Sequence, residues 1–216
     1  MKIVLLAVVL FANPVGAKAP GPDAPPVLAA MTDAMLLDRH PAGAVIETRL
    51  DADFNGDGLV DTAYVARVPD EWRKLAVMMG YAEETDMGHE PAGEAEMDPY
   101  PLGSATLSVK KGVLLVEDLA GGTSATASTY RYRFDPAQRR MRLIGDDVAY
   151  YSRTNQHDKV EISTNRLTGQ RIRQVFKLDA DGYAPQPPVK EAVPTAPVYM
   201  EDAPLPDVTL GLGEAG

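Results

Sequence analysis

One short stretch holds most of the chemistry that can be read from this chain. Residues 51–61 run DADFNGDGLVD, so Asp53, Asn55 and Asp57 stand at alternate positions, Gly58 follows, and Asp61 closes the array. A loop coiled around a cation presents side chains from alternate residues. At the next alternate position, Leu59, the backbone carbonyl serves and the side chain is no obstacle. Three carboxylates, an amide and a carbonyl form the hard oxygen set that calcium takes at about 2.3–2.6 Å in forgiving geometry. Magnesium requires a tighter octahedron and retains water, and zinc would call for Cys or His, which are missing from the stretch. Gly58 sits where the chain must turn sharply, and positive φ is easiest without a Cβ. Val60 is expected to point away from the ion and anchor the loop to the core. An Asx-turn hairpin uses the same residue types for their turn preferences, but it does not need five spaced oxygen donors. An EF-hand register starting at Asp51 would put Thr62 where the bidentate Glu belongs, so Asp51 is left as an outer carboxylate.

The array and the strand-like TAYVARV that follows it resemble the FG-GAP or VCBS calcium loop of β-propellers. The resemblance implies calcium held by Asp53, Asn55, Asp57, Leu59 and Asp61. It does not imply a propeller, which needs several blades with repeated motifs. There is no second copy, and Asp179-Ala180-Asp181-Gly182 lacks the downstream acid. The later segments are similar to a group of small secreted bacterial proteins of no known activity. They are Thr129-Tyr130-Arg131-Tyr132-Arg133-Phe134, Arg142-Leu143-Ile144-Gly145, and Glu161-Ile162-Ser163-Thr164-Asn165 with Leu167-Thr168-Gly169. That likeness implies bacterial export and a one-domain chain.

A second lead is cationic. Residues 130–177 carry eleven Lys and Arg against five acids, while 83–98 carry seven acids and no Lys or Arg. Arg131 and Arg133 fall on one face of their strand, and Arg171 and Arg173 on one face of another. If those strands are neighbours, the sheet offers guanidinium forks to a carboxylate or phosphate on an anionic envelope glycan, a lipid head group or a protein. The bland alternative is a solvated face, or pairing with the acidic stretch. His40, His89 and His157 lie far apart without ligand spacing. No nucleophile elbow, phosphate loop or dinucleotide fingerprint is present. Carboxylate pairs that could hydrolyse an envelope glycan are plentiful, but the sequence sets no separation between them. The balance favours a binding or accessory module over an enzyme.

These residues need a scaffold, and the hydropathy pattern supplies one. Val27, Met31 and Met35 at four-residue spacing predict a helix over 26–38, with Asp23 and Pro25-Pro26 at its start. From there the period is two. Strands are expected at 44–50, 62–68, 73–81, 104–109, 113–118, 128–134, 140–145, 158–164 and 171–178, with turn chemistry between them. The acidic stretch 82–101 reads as a long surface loop, and 121–128 as a small-residue connection. The expected fold is mainly β (α+β), an antiparallel meander with one N-terminal helix. Beyond Asp179 the chain carries seven of its eighteen prolines, so 184–216 reads as an extended, poorly packed tail after a single domain at 27–183.

The N-terminus gives the compartment. Lys2 precedes the ten-residue apolar run 3–12, and small residues follow, so 1–19 reads as a secretory signal peptide cut after Ala17 or Ala19. A linker occupies 20–26. The run is shorter than the roughly 20 residues a membrane span needs. The chain has no cysteine, which excludes disulfides and a lipid anchor on that residue. The expected location is periplasmic or secreted. A net charge of −10 argues against nonspecific nucleic-acid binding.

Overall fold

A computed structural model describes residues 28–212. The signal segment, the linker and the start of the expected helix lie outside the described residues. Two antiparallel sheets face each other. The smaller runs β1 (Val45–Ala52), β2 (Asp61–Val68), β3 (Trp72–Ala82) and β4 (Met87–Glu96), hydrogen-bonded in that order. The larger contains β5 (Thr106–Lys110), β6 (Val113–Gly121), β7 (Ser124–Asp135), β8 (Arg140–Ser152), β9 (Lys159–Asn165) and β10 (Gln170–Asp179), again in chain order. Both β11 (Gly182–Pro185) and β12 (Val189–Ala192) pair with β10, and β13 (Val198–Tyr199) pairs with β8. The fold is mainly β and antiparallel, with no propeller or closed barrel. Among the described residues no helix is long and apolar enough to cross a membrane.

The core lies between the sheets. Ala63, Val65, Leu75, Val77 and Met79 from one sheet meet Leu114, Val116, Tyr132, Met141 and Leu143 from the other. The alternate residues Tyr64, Ala66, Ala76 and Met78 form a second cluster on the outer face of the small sheet, under Met31 and Leu36. Residues 61–66 of β2 are therefore all buried. After Asp61 and Thr62 the strand has no polar alternation over Ala63–Ala66, because both of its faces are covered.

The helix is shorter than expected. α1 spans only Asp33–Leu37, and the Thr32 side chain accepts a hydrogen bond from the Met35 N–H. Leu36 is fully buried while Met35 is half exposed, so the apolar stripe is not the one its four-residue spacing suggested. The acidic stretch is not a loop. β4 pairs with β3 along its length, with Ala92 bulged into the core between Val77 and Met78. Glu94 and Glu96 flank Lys74 at 3.2 and 3.1 Å. Pro91 is tolerated because β4 is an edge strand and its N–H side needs no partner. The small-residue connection 121–128 is mostly the start of β7. The proline-rich tail is extended but well held. β12 pairs with β10, the Tyr199 hydroxyl donates to Asp135 at 3.0 Å, and Met200 is fully buried in the main core.

One charged cluster ties the sheets together. The buried guanidinium of Arg73 in β3 donates to Glu47 of β1 at 2.8 and 2.7 Å, and to Asp118 of β6 at 2.8 Å through each terminal nitrogen. Burial pushes the Glu47 carboxyl up, but hydrogen bonds from Arg73 and from the Ala105 N–H outweigh it and hold the group below its usual value of 4.5. Arg73→Met should cost about 3–5 kcal/mol in urea unfolding, because buried Asp118 loses its counter-charge and Glu47 keeps only the longer contact with Arg67 at 3.6 Å. The stability that Glu47 adds through its lowered pKa is present above pH 4.5 and is lost as pH falls through the folded-state value. The wild-type advantage over Glu47→Gln should therefore shrink on acidification. An advantage that does not change with pH would mean the carboxylate charge is not what holds the cluster.

Candidate functional site

The loop 53–61 joins β1 to β2 at one end of the small sheet. Its polar side chains fold back onto its own backbone in staggered turns. Asp53 Oδ1 accepts from the N–H groups of Asn55 (3.2 Å) and Gly56 (2.6 Å), and Oδ2 from Gly58 (2.9 Å). Asn55 Oδ1 accepts from the Asp57 N–H at 3.0 Å, and Asp57 Oδ1 from the Leu59 N–H at 2.8 Å. Gly58 has φ +83°, the left-handed conformation its place in the array requires. Burial pushes Asp53 up, but these backbone donors outweigh it and hold the carboxyl below its usual range.

Asp61 differs from the other two acids because it is fully buried. Its Oδ2 accepts from the Phe54 N–H at 2.6 Å and its Oδ1 from the Gly80 N–H at 2.8 Å, so it ties the start of the loop to β3. The approach of β3 depends on a missing side chain. A Cβ on Gly80 would stand 2.7 Å from the Val60 carbonyl oxygen. Burial, with the charges of Asp57 and Asp53 adding to it, lifts the Asp61 carboxyl from 3.8 to about 6. The residue that anchors the loop is Phe54, 1% exposed and packed in the core, rather than the expected Val60. Its aromatic character was the available signal, since an alternating loop turns every second side chain away from its centre. Asp51 takes no part. It pairs with Arg49 and accepts from the Thr62 hydroxyl.

The five donors fit a hard cation by type and order. Among the described residues, however, no three His, Cys, Asp or Glu side chains converge as a formed cage. The second oxygen of Asp57 accepts from Asn55 Nδ2 at 2.7 Å. A surface depression of about 390 Å³ beside the loop is lined by Asn55, Asp57, Lys111, Arg133 and Phe134.

The four arginines do not form one face. Two strands, β8 and β9, separate β7 from β10. The register places Arg131 beside Gly145, Asn165 and Gln170, whereas Arg171 lies beside Thr164, Asp146 and Tyr130. Arg131 and Arg133 are thus on the outer face of the large sheet, and Arg171 and Arg173 are on the inner one. A one-residue offset in register reverses a side chain's face, and strand spacing in the sequence does not fix register. Arg131 is held by Asp147 at 2.6 Å and Arg171 by the Thr164 hydroxyl at 3.3 Å, while Arg133 is exposed at the loop depression.

The histidines each have a structural partner. His40 hydrogen-bonds Tyr64 at 2.9 Å and packs on Trp72, and His89 reaches the Val60 carbonyl at 3.1 Å. His157 Nε2 lies 2.9 Å from the Ser124 hydroxyl, its Nδ1 contacts the Asp158 carbonyl oxygen at 2.7 Å, and its ring stacks on Tyr150. A serine and an oriented histidine make a nucleophile and base only where a substrate can sit beside them. Neither residue lines the depression at the loop, and their contact joins the β6–β7 turn to the β8–β9 connection.

An acid with a raised folded-state pKa costs stability once the unfolded chain ionises it. The penalty is absent below pH 3.8, grows as pH rises, and is complete above about 6. In metal-free buffer, wild type should lose about 3 kcal/mol relative to Asp61→Asn across that window. Urea unfolding at several pH values measures it, and a constant difference between the two proteins would remove the buried charge from the account.

Comparison with family models, with curated proteins and with solved structures finds no match to this chain.

Proposed function

We propose that this chain is an exported binding or accessory module whose β1–β2 loop holds a structural calcium ion, as FG-GAP and VCBS loops do. Asp53, Asn55, Asp57 and Asp61 supply side-chain oxygens and Leu59 its carbonyl. The observation that carries the reading is the fully buried Asp61 carboxylate, which shares its short loop with two further acids and forms no ion pair among the described residues. Burying such a group is unfavourable without a counter-charge. A dication at the loop centre would supply it and draw in Asp53 and Asp57.

The order of the donors, the positive φ of Gly58, and an anchor at each end of the loop (Phe54 in the core, Asp61 on Gly80) all support that reading. So does the N-terminal sequence pattern of an exported chain. Outside the cytoplasm, sites as weak as about 10⁻⁴–10⁻³ M still fill. The ion's role is to pin the turn between two core strands, and the Asn55–Asp57 depression with Lys111 and Arg133 is where an anionic group would meet it.

Thermal unfolding with calcium, with magnesium and with chelator tests the proposal. At a hundredfold excess over the dissociation constant, binding stabilises by about 2.7 kcal/mol, a midpoint rise of roughly 5–10 °C for a chain of this size. The rise should be specific to calcium and absent in Asp57→Ala. Equal midpoints in all three conditions would leave the loop as a set of Asx turns.

A further inference from the structure

A cavity of about 530 Å³ opens between the two sheets, near the Arg73 end and separate from the calcium loop. Leu75, Val116 and the stacked rings of Tyr130 and Tyr132 form its apolar walls. The chain after the buried Met200 supplies a further wall, residues 203–208. The hydroxyl of Tyr130 donates to the Pro204 carbonyl at 2.7 Å and holds that wall against the large sheet. The volume falls within the range of about 300–1,000 Å³ typical of small-molecule sites, which are mostly apolar with a few polar groups converging on them.

The polar groups of this cavity share one sign. Glu96, Asp98, Asp118 and Asp207 line it, and no Lys, Arg or His does. Two of the four acids are neutralised from outside the lining, Asp118 by Arg73 and Glu96 by Lys74. Asp98 and Asp207 form no ion pair among the described residues, although Asp98 caps the Tyr100 N–H at 2.8 Å. Ser128, a residue 7% exposed, belongs to the lining, and its hydroxyl is open to a polar atom in the cavity.

We propose that this cavity binds a small cationic amphiphile, an aliphatic or aromatic body carrying an amine or ammonium group. The body lies on Leu75, Val116, Tyr130 and Tyr132, the Ser128 hydroxyl meets a polar atom, and the cationic end faces Asp98 and Asp207. An anionic amphiphile of the same length is excluded by the unneutralised acids. This site shares no residue with the loop, so its test is independent of calcium and is run in chelator.

Calorimetric titration of the mature chain with decylammonium, decanol and decanoate, each below its micelle concentration, decides the matter. One saturable site is expected, with decylammonium binding at least about tenfold tighter than decanoate and decanol between them. Asp98→Asn combined with Asp207→Asn should bring the ammonium and the alcohol to within about threefold of each other. Ser128→Leu fills the cavity and should abolish the site. If its circular dichroism shows it unfolded, Thr126→Leu on the same wall replaces it. Binding of decanoate as tight as decylammonium, stoichiometry above one, or ammonium binding unchanged in a folded cavity-filled variant would overturn the proposal, the last two marking attraction to the acidic surface.

Discussion

The sandwich depends on where one guanidinium sits. Arg73 is buried in β3, and its nitrogens satisfy Glu47 on β1, across the intervening β2, Asp118 across the sheet interface and the Asp98 carbonyl. Ion pairs taken out of water often add little net stability, since desolvation cancels much of the attraction. Their geometry is demanding, however, and Glu47 and Asp118 reach the same cation only when β1, β3 and β6 are aligned as found. Many apolar pairings could close two sheets of this size, but few would also satisfy both acids. The cluster therefore acts mainly as a register device. It also places Asp118 in the cavity wall with its charge already answered.

The far end of the small sheet presents the opposite case. From Arg73 to Gly80 along β3 is about 23 Å at ~3.3 Å per residue, and there Asp61 is as deeply buried as Glu47 without a basic partner. At one end the chain carries its own cation. At the other it gathers Asp53, Asp57 and Asp61 into a turn and leaves the counter-charge to come from outside. Backbone N–H groups reach both Asp53 and Asp61, and it is the deeper burial of Asp61 that lifts its carboxyl while Asp53 stays acidic. On the proposed reading, one end of the sheet carries its own cation and the other takes a calcium ion in its place.

The sequence was most legible where one local rule dominated. The Asp/Asn/Gly array, the β5–β6 hairpin at Lys110-Lys111-Gly112 and the Tyr130, Tyr132, Phe134 stripe were readable because turn chemistry or period two decides each. It was least legible where tertiary contact overrides propensity. β4 is rich in Glu, Gly and Pro and gains its strand from pairing with β3 and from Lys74 on the charged face. Arg131 and Arg171 look alike in the sequence yet face opposite ways, because register accumulates across three strand pairs and no single strand encodes it. Asp61 was visible as a ligand candidate, but its burial was not, since that comes from Gly80 letting β3 approach.

The tail shows why a proline-rich segment need not be loose. Its prolines obscure periodicity because it packs as single short strands and as a wall, not as a strand with two faces to satisfy. Beside an apolar cavity, an unpaired backbone N–H would be an unsatisfied donor, and Pro204 and Pro206 have none. The acceptor that remains at Pro204 is used by the Tyr130 hydroxyl, whose own proton would otherwise be stranded in the same apolar space. Burial pushes the Tyr130 phenol pKa up, so the hydroxyl keeps its proton for this bond at physiological pH. Composition that argues against packing in a helix or a central strand therefore suits a cavity wall, where a proline presents no backbone N–H that must find a partner.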